Sequence, residues 1–208
     1  MISENLFASQ ATLTTARLRL EPLGPEHFDG VWASLHDPEA RRLTGTHAEF
    51  TPDQIRAWLA GLSGHHDRAD WAVIRLADDQ HPEDRSPNDQ HDQPREQHHR
   101  KERYLGEVVL NDLDPDNASV GFRIALAPAE VLGQGYGTEA TRAVVAHAFD
   151  DLGLHRVALE VFAFNPRAQR AYEKAGFTVE GRQRDALRWD GEWVDAVSMA
   201  ILATDPRP

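Results

Sequence analysis

Three alternating glycines, Gly133, Gly135 and Gly137, stand directly in front of a helical pattern. Glycine adopts positive φ values at little cost, so such a run can turn sharply and expose successive N–H groups. Apolar residues then recur at helical spacing from Thr141 to Leu152. A helix N-terminus behind a glycine-rich turn binds anions through its N–H groups and its dipole. The segment therefore predicts a phosphate or pyrophosphate site built from backbone rather than from lysine.

A second segment with chemical character begins at Asn165 and reads Asn-Pro-Arg-Ala-Gln-Arg-Ala-Tyr-Glu-Lys-Ala-Gly-Phe. Asn165 can cap a helix, proline follows at the first helical position, and Gly176 can end the helix. Small alanine residues share one helical face with Tyr172, so this helix can approach a sheet or a ligand closely. A tyrosine there can be a core residue, or its phenol can donate a proton to a leaving group.

In this order and spacing, the two segments resemble the GCN5-related N-acetyltransferases (GNAT), and within them the ribosomal-protein-alanine acetyltransferase (RimJ/RimL-like) branch. The resemblance runs from about residue 13 to residue 202, apart from one insertion. It implies acetyl-coenzyme A as the acetyl donor, no metal, and as acceptor a small-molecule amine or a protein N-terminal amine. The coenzyme-binding residues that it implies are Leu126, Leu132, Gly133, Gln134, Gly135, Tyr136, Gly137, Thr138, Asn165, Arg170 and Tyr172.

The resemblance also implies that Tyr172 points at the coenzyme sulfur and protonates the leaving thiolate. His47 lies in a region that lines the acceptor pocket in the family, and Ser119 is a further candidate there. Trp189 is a candidate for the acceptor pocket or for a dimer contact, since a monomer and a homodimer both remain open. With no cysteine in the chain, a cysteine acyl-enzyme is disfavoured, and we expect direct transfer in a ternary complex.

The base that deprotonates the acceptor is the open part of this mechanism. An alkylamine with a pKa of about 10 arrives protonated and must lose a proton before it can attack. Related enzymes often carry glutamate two residues before the glycine of the fourth strand, but that position holds Ser119. Glu107, Glu160 and His47 are substitutes, and proton loss through ordered water is also possible.

Two other functions compete with acetyl transfer. A dinucleotide-dependent oxidoreductase is disfavoured, because the fingerprint needs two residues between its second and third glycines and an acidic residue about 20 positions on, where Val157 stands. A non-catalytic acyl-coenzyme A binding or sensing module stays open, because Ser119 replaces the usual base. Leu132 is a smaller departure, since the family often has arginine or glutamine there.

Composition limits the partners. A net charge of −12 over 208 residues argues against general nucleic-acid binding, which needs a basic face. The sequence has neither an apolar run of membrane-spanning length nor a signal pattern at its N-terminus, so we expect a cytoplasmic protein.

The pattern of strands and helices predicts an α/β (α+β) fold, with a mixed central sheet of about seven strands flanked by helices; the resemblance implies the GNAT fold. The strands are predicted at 15–22, 71–77, 104–111, 119–127, 156–163, 179–187 and 193–202. We expect a single domain over residues 1–208. Residues 78–103 contain no aliphatic side chain and no aromatic ring of Phe, Tyr or Trp, so they predict a disordered hairpin insertion.

Overall fold

The computed structural model describes residues 2–77 and 102–208, in which one mixed sheet carries helices on both faces. The strands are β1 (Leu13–Thr14), β2 (Leu18–Pro22), β3 (Ala69–Arg75), β4 (Arg103–Asp114), β5 (Ser119–Leu126), β6 (Arg156–Phe162), β7 (Thr178–Trp189) and β8 (Glu192–Leu202). Their order in the sheet is β1-β2-β3-β4-β5-β6-β8-β7. The predicted class is confirmed, and the additional strand is β1, whose two residues are too few to show a period.

The helices are α1 (Phe28–His36), α2 (Pro38–Thr44), α3 (Pro52–Gly61), α4 (Tyr136–Ala146) and α5 (Pro166–Lys174). Helix α2 starts directly after α1, at Asp37-Pro38. Asp37 caps it, with its Oδ1 accepting the Ala40 N–H at 2.8 Å and Pro38 at the first helical position. Within the described residues, every helix is too short or too polar to cross a lipid bilayer.

The two faces of the sheet bury different clusters. Leu105 and Val108 of β4 belong to the larger cluster, together with Val144 of α4 and Tyr172 of α5. On the opposite face, residues of β3 pack in a smaller cluster with α1 and α3. Since side chains alternate along a strand, the sheet separates the α4–α5 face from the α1–α3 face, and neighbouring residues of one strand reach different environments.

β5 and β6 pair in parallel for only a short distance and then diverge. The paired residues are Ser119–Arg156, Val120–Val157 and Gly121–Ala158. Beyond Gly121, β5 stays bonded to β4 while β6 stays bonded to β8. An opening with Gly121 at its vertex therefore separates the two strands, and one backbone edge of β5 is left unpaired by β6 over residues 122–126.

A bulge in β4 lies beside this open part of β5. Val73 pairs with Gly106, but Ile74 pairs with Tyr104, so β4 carries an extra residue. Gly106 has φ +147°, and a Cβ on it would lie 1.9 Å from the Ala125 carbonyl oxygen. Only glycine therefore permits this approach of the two backbones.

The predicted insertion at 78–103 falls mostly on residues 78–101, which lie outside the described residues. Its last two residues, Glu102 and Arg103, lie within the described fold, which corrects the predicted end of the insertion. Glu102 receives two hydrogen bonds from the Arg19 guanidinium at 2.7 and 2.8 Å, and Arg103 begins β4. The segment connects β3 to its antiparallel neighbour β4, which is the hairpin position that the sequence predicts.

Candidate active site

The glycine-rich loop presents a row of free N–H donors. Gly133 and Gly135 have φ values of +81° and +86°, in the left-handed region that favours glycine. The first N–H bonded within α4 is that of Glu139, which donates to Gly135 O at 3.0 Å. Leu132 N–H donates to Ala129 O, whereas the N–H groups of 133–138 have no acceptor among the described residues. The loop and the first turn of α4 thus offer successive donors to an anion.

The side chains around this loop hold it against the sheet. Leu126 ends the open part of β5, and its Cδ1 would lie 3.6 Å from a Cβ on Gly137. The Gln134 side chain donates to Glu130 O at 2.6 Å, and Tyr136 is buried. Thr138 lines an open groove of about 940 Å³ along α4. The predicted coenzyme residues of this segment therefore surround the donor row.

Basic groups border the same groove in spite of the acidic net charge. Its lining includes Arg17, Arg142 and Lys174 together with the carboxylates of Glu139, Asp150 and Asp151. Arg142 donates to the Lys174 carbonyl oxygen at 2.6 Å. Arg170 is exposed on α5. Arg17 is paired with Glu139, so the basic side chains of this lining that remain for a phosphorylated ligand are Arg142 and Lys174.

Tyr172 lies against the opening between β5 and β6. Asn165 caps α5 as predicted, with its Oδ1 accepting the Ala168 N–H at 3.1 Å. Tyr172 is 7% exposed, and its ring meets Phe122 edge-on with centroids 6.2 Å apart. Phe122 is the first residue of β5 beyond the vertex. Burial raises the pKa of the Tyr172 phenol, so it is protonated at neutral pH and can act as a donor.

Glu107 lies on the opposite face of the sheet. It pairs across the strands with Ala72 and Ala125, and Ala125 belongs to the open part of β5. Burial and then the charge of buried Asp70 raise the pKa of the Glu107 carboxyl, against the smaller opposing effect of Arg123. A carboxyl group with raised proton affinity is suited to accept a proton near neutral pH.

Two residues predicted for the acceptor side meet in the structure. The His47 imidazole stacks on the Trp189 indole with centroids 4.9 Å apart. This contact joins the segment after α2 to the β7–β8 hairpin. Gly45, which ends α2 with φ +66°, lies against the Phe162 ring at the end of β6. A neighbouring pocket of about 450 Å³ is lined by Arg42, Phe164, Trp189, Asp190, Trp193 and Asp195, among others.

The family of this chain follows from its match to a family model. Residues 17–178 match the family model described as an acetyltransferase (GNAT) domain. The chain belongs to the GNAT family. This match bears out the superfamily that the two sequence segments indicated.

Individual relatives agree with the GNAT assignment. YjcK of Bacillus subtilis, named as a probable N-acetyltransferase, is 44% identical over 73 residues, which is 35% of this chain and 40% of YjcK. YdaF of the same organism, named for ribosomal N-acetylation, is 35% identical over 99 residues, which is 47% of this chain and 52% of YdaF. The chain thus spans about half the length of the curated relatives it matches.

A solved structure has the same fold. It is spermidine N-acetyltransferase from Vibrio cholerae in complex with CoA and spermine, with a TM-score of 0.74 and 19% identity. The match covers 91% of this chain and 98% of that one. At this identity the likeness establishes the fold.

Ser119, which holds the position of the usual glutamate, and the remaining candidate base Glu160 lie elsewhere in this GNAT chain. Ser119 begins β5 at the closed end of the β5–β6 pair, opposite Asp114 of β4. The Glu160 carboxylate is exposed on β6 and accepts a hydrogen bond from the Gln183 side chain. Glu107 therefore lies beside the open part of β5, whereas Ser119 lies at the closed end of the β5–β6 pair.

Asn111 is a polar residue near the vertex that sequence reasoning did not single out. It pairs with Gly121, and a Cβ on Gly121 would lie 3.3 Å from Asn111 Oδ1. That oxygen is buried and has no partner among the described residues, while Asn111 Nδ2 donates to Asp112 Oδ2 at 2.6 Å. No pattern in the sequence distinguishes it, because it ends a run of ordinary strand residues.

Proposed function

We propose that this GNAT chain is an acetyl-coenzyme A-dependent N-acetyltransferase that acts on a primary amine by direct attack in a ternary complex. The observation that carries the proposal is the free donor row of 133–138, which leads into the opening where Tyr172 lies. A phosphate site continuous with an open strand edge suits a ligand that has both a pyrophosphate and an amide-bearing arm.

Different groups of residues bind different parts of the coenzyme. The N–H groups of 133–138 donate to the pyrophosphate, and Arg142 and Lys174 lie beside it in the groove. The edge of β5 at 122–126 offers backbone groups to the amides of the pantetheine arm. This binding places the thioester in the opening between β5 and β6, near the Tyr172 ring.

Acid and base then act from opposite faces of the sheet. The amine attacks the thioester carbonyl, a C–N bond forms and the C–S bond breaks. The proton that the acceptor loses passes to Glu107, directly or through water, and Tyr172 protonates the departing thiolate. The two groups do not compete for the same space around the thioester, because Tyr172 belongs to the α4–α5 face and Glu107 to the α1–α3 face.

We infer that the acceptor enters near the His47–Trp189 stack. Small-molecule amines and protein N-terminal amines both fit the proposal, the latter in the manner of the RimJ/RimL-like branch. Support for each comes from relatives, since one is named for spermidine and another for ribosomal N-acetylation. The pocket beside this stack has three acidic side chains, Asp190, Glu192 and Asp195, and two basic ones, Arg42 and Arg182. Arg182 is paired with Asp195.

A non-catalytic acyl-coenzyme A binding module is the second candidate. The observation in its favour is Ser119, which holds the position of the usual glutamate and lies at the closed end of the opening. Any turnover with an amine excludes it, whereas coenzyme binding without turnover over a broad amine panel favours it.

The first experiment is calorimetric titration with acetyl-coenzyme A, desulfo-coenzyme A and NAD, followed by thiol-release assays over a panel of amines. We expect both coenzyme A species to bind and NAD not to bind. Absence of coenzyme A binding would contradict the proposal and leave the glycine-rich loop as a structural turn.

Gly135→Ala tests whether the loop is the site. Its φ of +86° strains any L side chain, and the new Cβ would lie 3.3 Å from Arg17 Nη2. We expect coenzyme A affinity to fall by about tenfold or more, as for loss of a preorganised loop. Gly153→Ala is the matched control, because Gly153 has φ +69° but lies in the turn before β6. Equal affinity losses in both variants would contradict a local role of the loop.

A further inference from the structure

One arginine, Arg17, links the loop that precedes α4 to the β1–β2 edge of the sheet. Arg17 lies between β1 and β2, and its Nη1 donates to the Gln134 carbonyl oxygen at 3.0 Å. Its Nε donates to Glu139 Oε2 at 2.7 Å, and its backbone N–H donates to Glu139 Oε1 at 3.0 Å. Thr15 Oγ1 donates to the same Oε1 at 2.6 Å. Two points of the loop–helix junction are thus held from a segment more than a hundred residues away in sequence.

The same guanidinium also covers the loop residues between these two points. Its central carbon lies 4.5 Å from the centroid of the Tyr136 ring. Its Nη2 occupies the space beside Gly135, where a Cβ would be only 3.3 Å away. Arg17 therefore contacts the left-handed glycine, the carbonyl before it and the residue after it, which together aim the N–H groups of 133–138.

The Glu139 carboxylate puts a negative charge next to the proposed phosphate site. It lies in the first turn of α4, where a carboxylate interacts favourably with the same N–H groups and dipole that would bind a phosphate. Burial opposes its ionisation, but hydrogen bonds from Thr15 and Arg17 outweigh this and hold its pKa below the usual range. Glu139 is therefore ionised at neutral pH, and its charge would repel a pyrophosphate unless it were offset.

We propose that Arg17 is a positioning residue for coenzyme binding: it fixes the shape of the loop through Gln134 and Glu139, and it offsets the Glu139 charge beside the anion site. The inference rests on the proposed function, in which the 133–138 loop binds the coenzyme pyrophosphate. Arg17 acts on the loop rather than on the thioester, so its loss weakens coenzyme binding and leaves transfer from bound coenzyme largely intact.

The test is calorimetric titration of coenzyme A into wild type, Arg17→Ala and Arg17→Lys, with steady-state kinetics on the same variants. We expect Arg17→Ala to lose about tenfold or more in affinity, with a matching rise in KM for acetyl-coenzyme A and kcat within about threefold. We expect Arg17→Lys to recover little, because one ammonium cannot replace the fork that holds Gln134 and Glu139 together. Should Arg17→Ala fail to fold, Arg17→Lys decides alone.

The matched control is Arg156→Ala. Arg156 forms a comparable two-point ion pair with Glu180, with Nη1 2.7 Å from Oε1, at the other end of the sheet. We expect this variant to bind coenzyme A within about twofold of wild type, since distant sites act independently.

A double-mutant cycle with Glu139→Ala separates positioning from direct contact with the phosphate. If Arg17 acts through Glu139, its removal costs about threefold or less once Glu139 is alanine. Full additivity, or an Arg17→Lys variant with wild-type affinity, overturns the inference in favour of a simple charge contact. Wild-type affinity in Arg17→Ala overturns it while the proposed function stands; a wild type that binds no coenzyme A overturns both.

Discussion

Tyr172→Phe is the most direct test of the chemistry, because it removes one oxygen atom and leaves the ring. The edge-on contact with Phe122 and the contact with Phe177, 6.0 Å between centroids, do not involve the hydroxyl. The substitution therefore keeps both ring contacts and retains the packing around Tyr172. We expect kcat to fall by about 10²-fold, because a positioned general acid contributes 10²–10⁴-fold. This corresponds to about 2.7 kcal/mol of transition-state stabilisation.

The assay is thiol release under saturating acetyl-coenzyme A, with coenzyme A affinity and thermal unfolding measured on the same preparations. Tyr104→Phe is the comparison variant, since it likewise removes only a hydroxyl from a tyrosine ring. The Tyr104 hydroxyl is buried without a partner among the described residues and lies on the α1–α3 face, where burial and then the charge of Glu107 raise the pKa of the Tyr104 phenol. We expect this variant to be at least as stable as wild type and to keep kcat within about threefold, because it leaves the α4–α5 face unchanged. A Tyr172→Phe variant within about threefold of wild type would refute proton donation by Tyr172. Equal losses in both variants would point to packing rather than to chemistry.

Two further changes test the base and the segment at 78–103. Burial and Asp70 raise the pKa of Glu107, so its contribution to stability is full below the unfolded value of about 4.3 and is lost as the pH rises through the folded pKa. Glu107→Gln should therefore raise the thermal midpoint at pH 7–8 but not near pH 4, while kcat/KM falls by about 10²-fold; a destabilised variant at pH 7 would contradict the assignment. Deleting 79–101 should leave the thermal midpoint nearly unchanged in calorimetry, because no side chain of that segment is aliphatic or is Phe, Tyr or Trp.

Features that depend on neighbouring residues could be predicted from the sequence. The left-handed glycines before α4 and the Asn165 cap of α5 are determined by local backbone chemistry, and the structure has both. Local signals can also have two meanings: the pair Asp37-Pro38 follows the end of α1 and at the same time starts α2. Such ambiguity is intrinsic to short-range signals.

Contacts between distant segments could not be predicted from the residues themselves. Arg17 and Glu139 each read as an ordinary surface charge, and only the fold brings β2 beside the first turn of α4. The stacking of His47 on Trp189 likewise depends on how α2 meets the β7–β8 hairpin. Residue identity indicated that His47 and Trp189 were candidates, whereas their contact is a property of tertiary packing.

The divergence of β5 and β6 gives a physical reason why the usual glutamate position need not supply the base. Ser119 precedes the vertex at Gly121, where β5 is still bonded on both edges, so its surroundings are set by strand pairing. Beyond the vertex β5 is bonded on one edge only, and the neighbouring strand on that bonded edge is β4, which carries Glu107 opposite Ala125. A base on β4 can thus face the open segment from the α1–α3 face while the other face is occupied by Tyr172. In the proposed mechanism the acid and the base therefore lie on opposite faces of the sheet, and donor and acceptor meet in the opening between β5 and β6.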